Sequence, residues 1–213
     1  RVEGHRQKRD WEGKTFLEPV GESILPEFLT VYDDPTLSEW EGKDLAGHYA
    51  FDDEGVRAQR SLLVDQGRFV GFLQGRSPLE GHPVSNGHGR RSPGHAPLSR
   101  MGNLVVESHD GRDREALLKE LQVLARDQGL ENGIWVDGIE GGFTSTGRVT
   151  PNAFNVRATS AWRVFADGRP MERVQGADLV GTPLVAFSNL VASGRTAEVF
   201  NGRCGAESGW VSV

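Results

Sequence analysis

Residues 62–73 read Leu-Leu-Val-Asp-Gln-Gly-Arg-Phe-Val-Gly-Phe-Leu, two apolar runs on either side of the turn residues Asp65, Gln66 and Gly67. Apolar and aromatic runs that flank a short segment ending in glycine predict a β-hairpin. Similar strand candidates occur along the rest of the chain. They lie at residues 30–32, 103–107, 134–137, 159–165, 170–174, 197–200 and 210–212.

Residues 111–128 carry the stronger of two helical patterns. Asp110 precedes this segment and is expected to cap its N-terminus, and Gly129 stands where a helix commonly ends. The apolar residues recur at the spacing of one helical face, which predicts a helix over about 111–128. These residues are Leu117, Leu118, Leu121, Leu124 and Ala125.

A second helix is predicted over about 183–193, because Thr182 and Pro183 form a helix start and Gly194 follows the apolar positions. Many strand candidates with few helices are typical of an α+β protein. The sequence therefore predicts an α+β fold that is predominantly antiparallel β-sheet.

The composition narrows the classes of function. The 213 residues carry a net charge of −6, whereas nucleic-acid-binding domains usually present a basic surface, so no nucleic-acid partner is expected. No apolar run approaches the roughly 18 residues of a membrane span, so we expect no membrane partner and a cytoplasmic location. The single cysteine, Cys204, excludes an intramolecular disulfide and a zinc site built from several cysteines.

The first candidate for chemistry is the pair Glu3 and His5. A carboxylate and an imidazole two residues apart could bind a metal or transfer a proton. They could equally be solvated side chains, and their spacing leaves both interpretations open.

The second candidate is the long irregular segment 85–103, which is rich in glycine. Arg90, Arg91 and Arg100 could bind a carboxylate or a phosphate through paired hydrogen bonds, and His88 and His95 could be ligands. The alternative is a mobile surface loop with solvated charges.

The third candidate is Cys204, which lies in a glycine-rich segment beside Arg203. A nearby cation favours the thiolate, which is the form that binds metals. The alternative is a small buried apolar residue, and a cysteine–histidine nucleophile is also compatible with the residues present.

Five stretches, taken in their order along the chain, resemble the TldD/PmbA family. Each is weakly specific by itself, but together they span nearly the whole sequence. They are Arg1-Val2-Glu3-Gly4-His5-Arg6-Gln7, Asp52-Asp53-Glu54-Gly55-Val56, Asn86-Gly87-His88-Gly89-Arg90-Arg91, Pro97-Leu98-Ser99-Arg100-Met101-Gly102-Asn103, and Gly202-Arg203-Cys204 with Gly209-Trp210-Val211.

The resemblance implies a zinc-dependent peptidase that acts on unstructured peptides or propeptides. Catalytic members of the family carry a helical His-Glu-x-x-x-His motif that supplies two zinc ligands and the general base. On this sequence Cys204 matches the remaining ligand, and Glu3 and His5 match positions near the metal. No catalytic residue is expected within the chain itself.

The resemblance also implies a place for the chain in a longer protein. Residues 1–213 would be the C-terminal β-rich domain, and residues 1–20 would follow directly on a metal-binding helix that lies upstream with the N-terminal domain. The alternative is a native protein that has lost the histidine pair and with it catalysis.

The partners implied by the resemblance are a peptide and a second family member. The peptide would lie as an extended strand in a cleft lined by residues 85–103, with His88, Arg90, Arg91, Arg100 and Asn103 as substrate-binding residues. The dimer would be a homodimer or a heterodimer. A non-catalytic partner subunit or peptide-binding scaffold is the alternative function, and the acidic net charge disfavours a nucleic-acid module.

Overall fold

The structure is a computed structural model that describes residue 3 and residues 20–79, 81–145 and 153–213. Nearly all of its strand pairs are antiparallel, which confirms the predicted α+β class. In chain order the elements are β1 (Leu29–Asp33), β2 (Glu39–Trp40), β3 (Lys43–Asp44), β4 (Ser61–Asp65), β5 (Arg68–Phe69), β6 (Gly89–Arg90), β7 (Leu98–Ser99), β8 (Leu104–Ser108), β9 (Gly111–Arg112), α1 (Arg114–Asp127), β10 (Asn132–Ser145), β11 (Ala153–Phe165), β12 (Glu172–Val174), β13 (Asp178–Gly181), α2 (Pro183–Ser188), β14 (Ser193–Gly194), β15 (Arg203–Ala206) and β16 (Gly209–Ser212).

The chain divides into two compact units, the first within residues 1–109 and 197–213 and the second within residues 110–196. The first unit contains an antiparallel sheet in the order β5-β4-β1-β8. The predicted hairpin is its β4–β5 pair. Gln66 and Gly67 form the turn with φ angles of 46° and 80°, the signature of a two-residue type I′ turn.

The core of the first unit is built mainly by this hairpin and the residues that follow it. Phe69 and Phe72 pack edge to face with 5.0 Å between ring centres. Burying each large apolar side chain contributes about 1.5–3 kcal/mol. The cluster comprises Val31, Leu63, Val64, Phe69, Phe72, Leu73 and Leu79.

The second unit is a long β10–β11 hairpin extended by β12 and β13, both of which pair with β11. Helix α1 lies against it and buries Ala125. The N-cap of α1 is Asp113, whose carboxylate accepts a hydrogen bond from the Ala116 N–H at 2.9 Å. The predicted cap at Asp110 is therefore wrong, because Gly111–Arg112 pairs with β14 before the helix can begin.

Helix α2 ends at Ser188, five residues before the predicted end at about 193. The side-chain amide of Asn189 donates to the Val185 carbonyl at 2.7 Å, and Ser193–Gly194 is held in the parallel β9–β14 pair. Within the described residues, neither helix has the length and apolar character needed to cross a bilayer.

Candidate functional site

Cys204 lies in the first unit on a short hairpin formed by β15 and β16, where it pairs with Val211. Its side chain is half-buried and forms no disulfide. A two-stranded hairpin is marginally stable by itself. The position of the thiol therefore depends on what holds the hairpin.

The buried guanidinium of Arg100 holds the β15–β16 hairpin in place. Arg100 has no exposed surface, and its Nη2 donates to the Cys204 carbonyl at 2.5 Å. Its Nη1 donates to the Ser208 Oγ at 2.9 Å and to the Gly209 carbonyl at 3.1 Å. One charged group thus ties both arms of the hairpin through charge-assisted hydrogen bonds, which are stronger than neutral ones.

Arg90 braces the far end of the same hairpin. Its Nη1 donates to the Ser212 carbonyl at 2.7 Å and to the Met101 carbonyl at 2.6 Å. The guanidinium also lies 4.7 Å from the ring centre of Tyr49. Burial lowers the pKa of Arg90 and raises the pKa of Tyr49 because each charged form loses solvation.

Ser92 completes the contact between the segment 85–103 and the hairpin. Its N–H donates to the Ser208 carbonyl and its hydroxyl to the Trp210 carbonyl, both at 2.8 Å. A Cβ at Gly209 would overlap the Ser92 hydroxyl, and Gly209 has a φ of 83°. The two segments singled out in the sequence are therefore joined directly, although about a hundred residues separate them.

His88 is fully buried beneath this loop. Its Nε2 lies 3.0 Å from the carboxylate of Asp33, which is itself fully buried. Its Nδ1 faces the carbonyl and the side-chain oxygen of Asn86 at 3.0 and 2.9 Å. Asp33 also accepts the Gly102 N–H at 3.0 Å, so its carboxylate bridges His88 and Gly102.

Asn103 is likewise occupied within the protein. Its Oδ1 accepts from the Gly47 N–H at 3.0 Å, and its Nδ2 donates to the Leu37 carbonyl at 2.8 Å and to the Asp34 carbonyl at 3.2 Å. The described polar contacts of His88, Arg90, Arg100 and Asn103 are thus internal.

Arg91 is the exposed arginine of the three predicted to bind substrate. Its guanidinium donates to the His95 carbonyl at 3.2 Å, and its N–H donates to Asp53 at 2.7 Å. His95 is also exposed, and its Nδ1 lies 3.3 Å from the Pro93 carbonyl. Arg91 therefore has room to meet a ligand without breaking a buried contact.

Two carboxylates of the Asp-Asp-Glu-Gly stretch anchor the segment 85–103. Asp52 accepts the Gly89 N–H at 2.8 Å, and Asp53 accepts the Arg91 N–H at 2.7 Å. The acidic residues of the Asp-Asp-Glu-Gly stretch are visible in the sequence. Acidic residues in a short polar stretch do not, however, indicate which distant backbone N–H groups they will bind. Asp33 was missed as the partner of His88 for the same reason.

Glu3 is half-buried and forms a parallel bridge with Leu73, in the first unit. His5 lies outside the described residues. Across the described part of the chain, no three histidine, cysteine or acidic side chains come together as a metal site. Among the described residues, Cys204 thus offers a single thiol on the β15–β16 hairpin, and a thiolate is a donor type that zinc accepts.

These features describe a β-rich module that presents one cysteine on a hairpin held by buried arginine contacts. Residues 4–211 match the family model described as the PmbA/TldA metallopeptidase C-terminal domain. The chain therefore belongs to the TldD/PmbA family of metallopeptidases.

Relatives and a solved structure agree with this assignment. A metalloprotease of Methanothermobacter thermautotrophicus is 30% identical over 206 residues, covering 95% of this chain and 41% of that protein. A metalloprotease TldD homolog of Haemophilus influenzae is 26% identical over 217 residues, covering 99% of this chain and 41% of that protein. TldE from Thermococcus kodakarensis shares the fold, with a TM-score of 0.59 at 20% identity over 99% of this chain and 45% of that chain. The chain thus spans less than half the length of these relatives.

Proposed function

We propose that this chain is the C-terminal domain of a zinc-dependent peptidase and that it contributes Cys204 as a metal ligand. The observation that carries the proposal is the buried Arg100, whose hydrogen bonds fix the backbone around Cys204. A half-buried thiol on so rigid a support is pre-organised to bind a metal. The metalloprotease names of the relatives support the same activity.

Zinc at Cys204 would supply Lewis-acid chemistry, polarising the scissile carbonyl and lowering the pKa of the attacking water. The other ligands and the general base would come from outside the described residues. The chain's own part is to hold the thiolate in place and to bind the peptide. We place the intact enzyme in the cytoplasm, where a single reduced cysteine is ordinary.

The position of β8 at the end of its described sheet supports binding of an extended peptide. Among the described strands, β8 lies at the end of its sheet and pairs with β1. Leu104 and Val106 on it are exposed. An added strand would use backbone hydrogen bonds common to all peptides, which accounts for action on unstructured substrates. The guanidinium of Arg91, in the same unit, is exposed and can pair with a carboxylate of the peptide.

Removal of the metal tests the activity directly. Treating the intact protein with EDTA should abolish cleavage of an unstructured peptide, and adding back zinc should restore it, because the reaction needs the Lewis acid. EDTA presaturated with zinc is the control and should leave cleavage unchanged. Cleavage that persists after the zinc content has fallen to background would exclude the proposal. An intact protein that is folded but has neither zinc nor activity would instead be a non-catalytic partner subunit.

The second unit supports a dimer with a family member. It exposes many large apolar side chains, and monomeric proteins rarely expose large apolar patches. Phe143 and Val180 lie in one row across the sheet on either side of Asn155, so all three point to the same face. Exposed apolar residues of this unit include Ile134, Ile139, Phe143, Leu179, Val180, Val185 and Phe187.

A charge placed on this face should separate the subunits. The double variant Phe143→Lys with Val180→Lys should convert a dimer of the intact protein into monomers in light scattering, because a buried unpaired charge is costly. Leu130→Lys makes the same kind of change at another exposed position of the unit and should leave the dimer intact. A double variant that remains dimeric would show that the interface lies elsewhere.

A further inference from the structure

Asn201 lies three residues before Cys204 in the first unit and uses both polar atoms of its side-chain amide there. Its Nδ2 donates to the Asp44 carbonyl at 2.8 Å, and its Oδ1 accepts the Ala46 N–H at 2.9 Å. One contact needs a donor and the other needs an acceptor, so only one orientation of the amide satisfies both. The side chain therefore ties residue 201 to a segment that lies about 155 positions earlier in the chain.

The segment 43–47, which receives this amide, is itself fixed to the rest of the unit. The Gly47 N–H donates to the Asn103 Oδ1 at 3.0 Å, and this hydrogen bond is buried. A Cβ at Gly47 would lie 2.3 Å from the Gly102 carbonyl oxygen, so the two backbones are in direct contact. The support for the amide therefore rests on the segment 85–103, which also braces the β15–β16 hairpin.

The two anchors act on opposite sides of the thiol along the chain. Arg100 bonds at Cys204 and at the turn beyond it, whereas Asn201 lies before it. Between them, the Gly202 N–H donates to the Val213 carbonyl at 2.8 Å, and the Gly202 carbonyl accepts the Val213 N–H at 3.0 Å. Because glycine leaves the backbone freer than any other residue does, loss of the Asn201 contacts would let the strand pivot at Gly202 and displace the Cys204 side chain.

We propose that Asn201 is a positioning residue that sets the direction of the Cys204 thiolate towards a metal ion. It touches neither the metal nor the substrate and acts through the backbone of residues 201–204. The inference rests on the proposed function, because it takes Cys204 to be a metal ligand. Replacing a residue that orients a metal ligand without touching the metal typically changes metal affinity about 10–100-fold.

The test loads cobalt(II) into the metal-free intact protein, because a thiolate bound to cobalt gives a charge-transfer absorption band in the near ultraviolet. Asn201→Ala should shift or weaken this band and lower cobalt affinity about tenfold or more, since the sulfur no longer meets the ion from the same direction. Hydrogen exchange of the amides at residues 202–206 in the metal-free protein should become faster. The melting temperature should stay close to that of the wild type, because Asn201 is exposed and surface changes alter stability little.

Asn201→Asp tests whether the amide donor is the group that matters. A carboxylate keeps an acceptor for the Ala46 N–H but cannot donate to the Asp44 carbonyl. This variant should therefore also lower cobalt affinity and alter the band, although its side chain has nearly the same volume.

Asn189→Ala is the matched control. Asn189 is also exposed, and its side-chain amide also donates to a backbone carbonyl, that of Val185, at 2.7 Å. It lies in the second unit, so its replacement should leave the band, the cobalt affinity and the exchange at residues 202–206 unchanged.

An unchanged band with unchanged cobalt affinity in Asn201→Ala would overturn the inference and leave Cys204 as a ligand. Equal weakening by Asn189→Ala would also overturn it, because the effect would not depend on the contacts with residues 44–46. A wild-type protein that binds cobalt without the thiolate band would instead overturn the assignment of Cys204, and this inference with it. The wild-type spectrum thus separates failure of the proposed function from failure of the role of Asn201.

Discussion

Replacing Cys204 with alanine is expected to strip zinc from the intact protein and to lower its peptidase activity at least a hundredfold. Changes to groups that merely orient a metal ligand typically cost about 10–100-fold in metal affinity or activity, and loss of the ligand itself should cost no less. The measurements are zinc per chain by mass spectrometry and the rate of cleavage of an unstructured peptide. Cys204→Ser should also be impaired, since an alcohol is a poor substitute for a thiolate.

The fold should tolerate the Cys204 changes, because the side chain is only half-buried. A melting temperature close to that of the wild type would separate loss of the ligand from loss of structure. Phe200→Ala serves as the control, since Phe200 is 86% exposed near the same hairpin, and it should retain zinc and activity. A Cys204→Ala protein with full zinc and full activity would refute the assignment.

Replacing Arg100 with methionine is expected to destabilise the protein by about 3 kcal/mol and to weaken zinc binding about 10–100-fold. Methionine fills much of the same volume but leaves the carbonyls of Cys204 and Gly209 and the hydroxyl of Ser208 without their shared donor. Relief from burying a charge offsets part of that loss. Urea unfolding gives the change in the free energy of unfolding, and competition with a fluorescent chelator gives the zinc affinity.

Arg91→Met is the matched control, because it makes the same substitution nine residues away at an exposed side chain. A surface change of this kind should alter the free energy of unfolding by no more than about 0.5 kcal/mol. It should also leave zinc affinity unchanged. Ser208→Ala removes a single acceptor of Arg100, so its free energy of unfolding and its zinc affinity should lie between those of Arg100→Met and Arg91→Met. If Arg100→Met proved as benign as Arg91→Met, the hairpin would have to be held by other contacts.

The site residues named from sequence show where such reasoning stops. Arg90, Arg91 and Arg100 look alike along the chain, and each was predicted to bind substrate. In the structure Arg100 is fully buried, Arg90 is half-buried against Tyr49, and Arg91 is exposed. Contact between Arg91 and a peptide remains a prediction. Arg90 and Arg100 could contact a peptide only by breaking their hydrogen bonds within the protein.

Helix α1 shows the same limit at the level of secondary structure. Its apolar spacing predicted a helix over about 111–128, and the helix is present at Arg114–Asp127. Its start was misplaced because Gly111–Arg112 is drawn into a pair with Ser193–Gly194, about eighty residues away. The same pair coincides with the early end of α2.

Local sequence was sufficient for features set by neighbouring residues, namely the two-residue turn at Gln66 and Gly67 and the existence of α1. It was also sufficient to place Cys204 in a segment that resembles the family. Burial of Arg100 and the pairing of His88 with Asp33 depend on contacts between residues 55 to 109 positions apart. A charged or polar side chain has no preference that fixes its surroundings in advance. Its partners exist only once the hydrophobic core has placed the strands, and so tertiary structure alone assigned these roles.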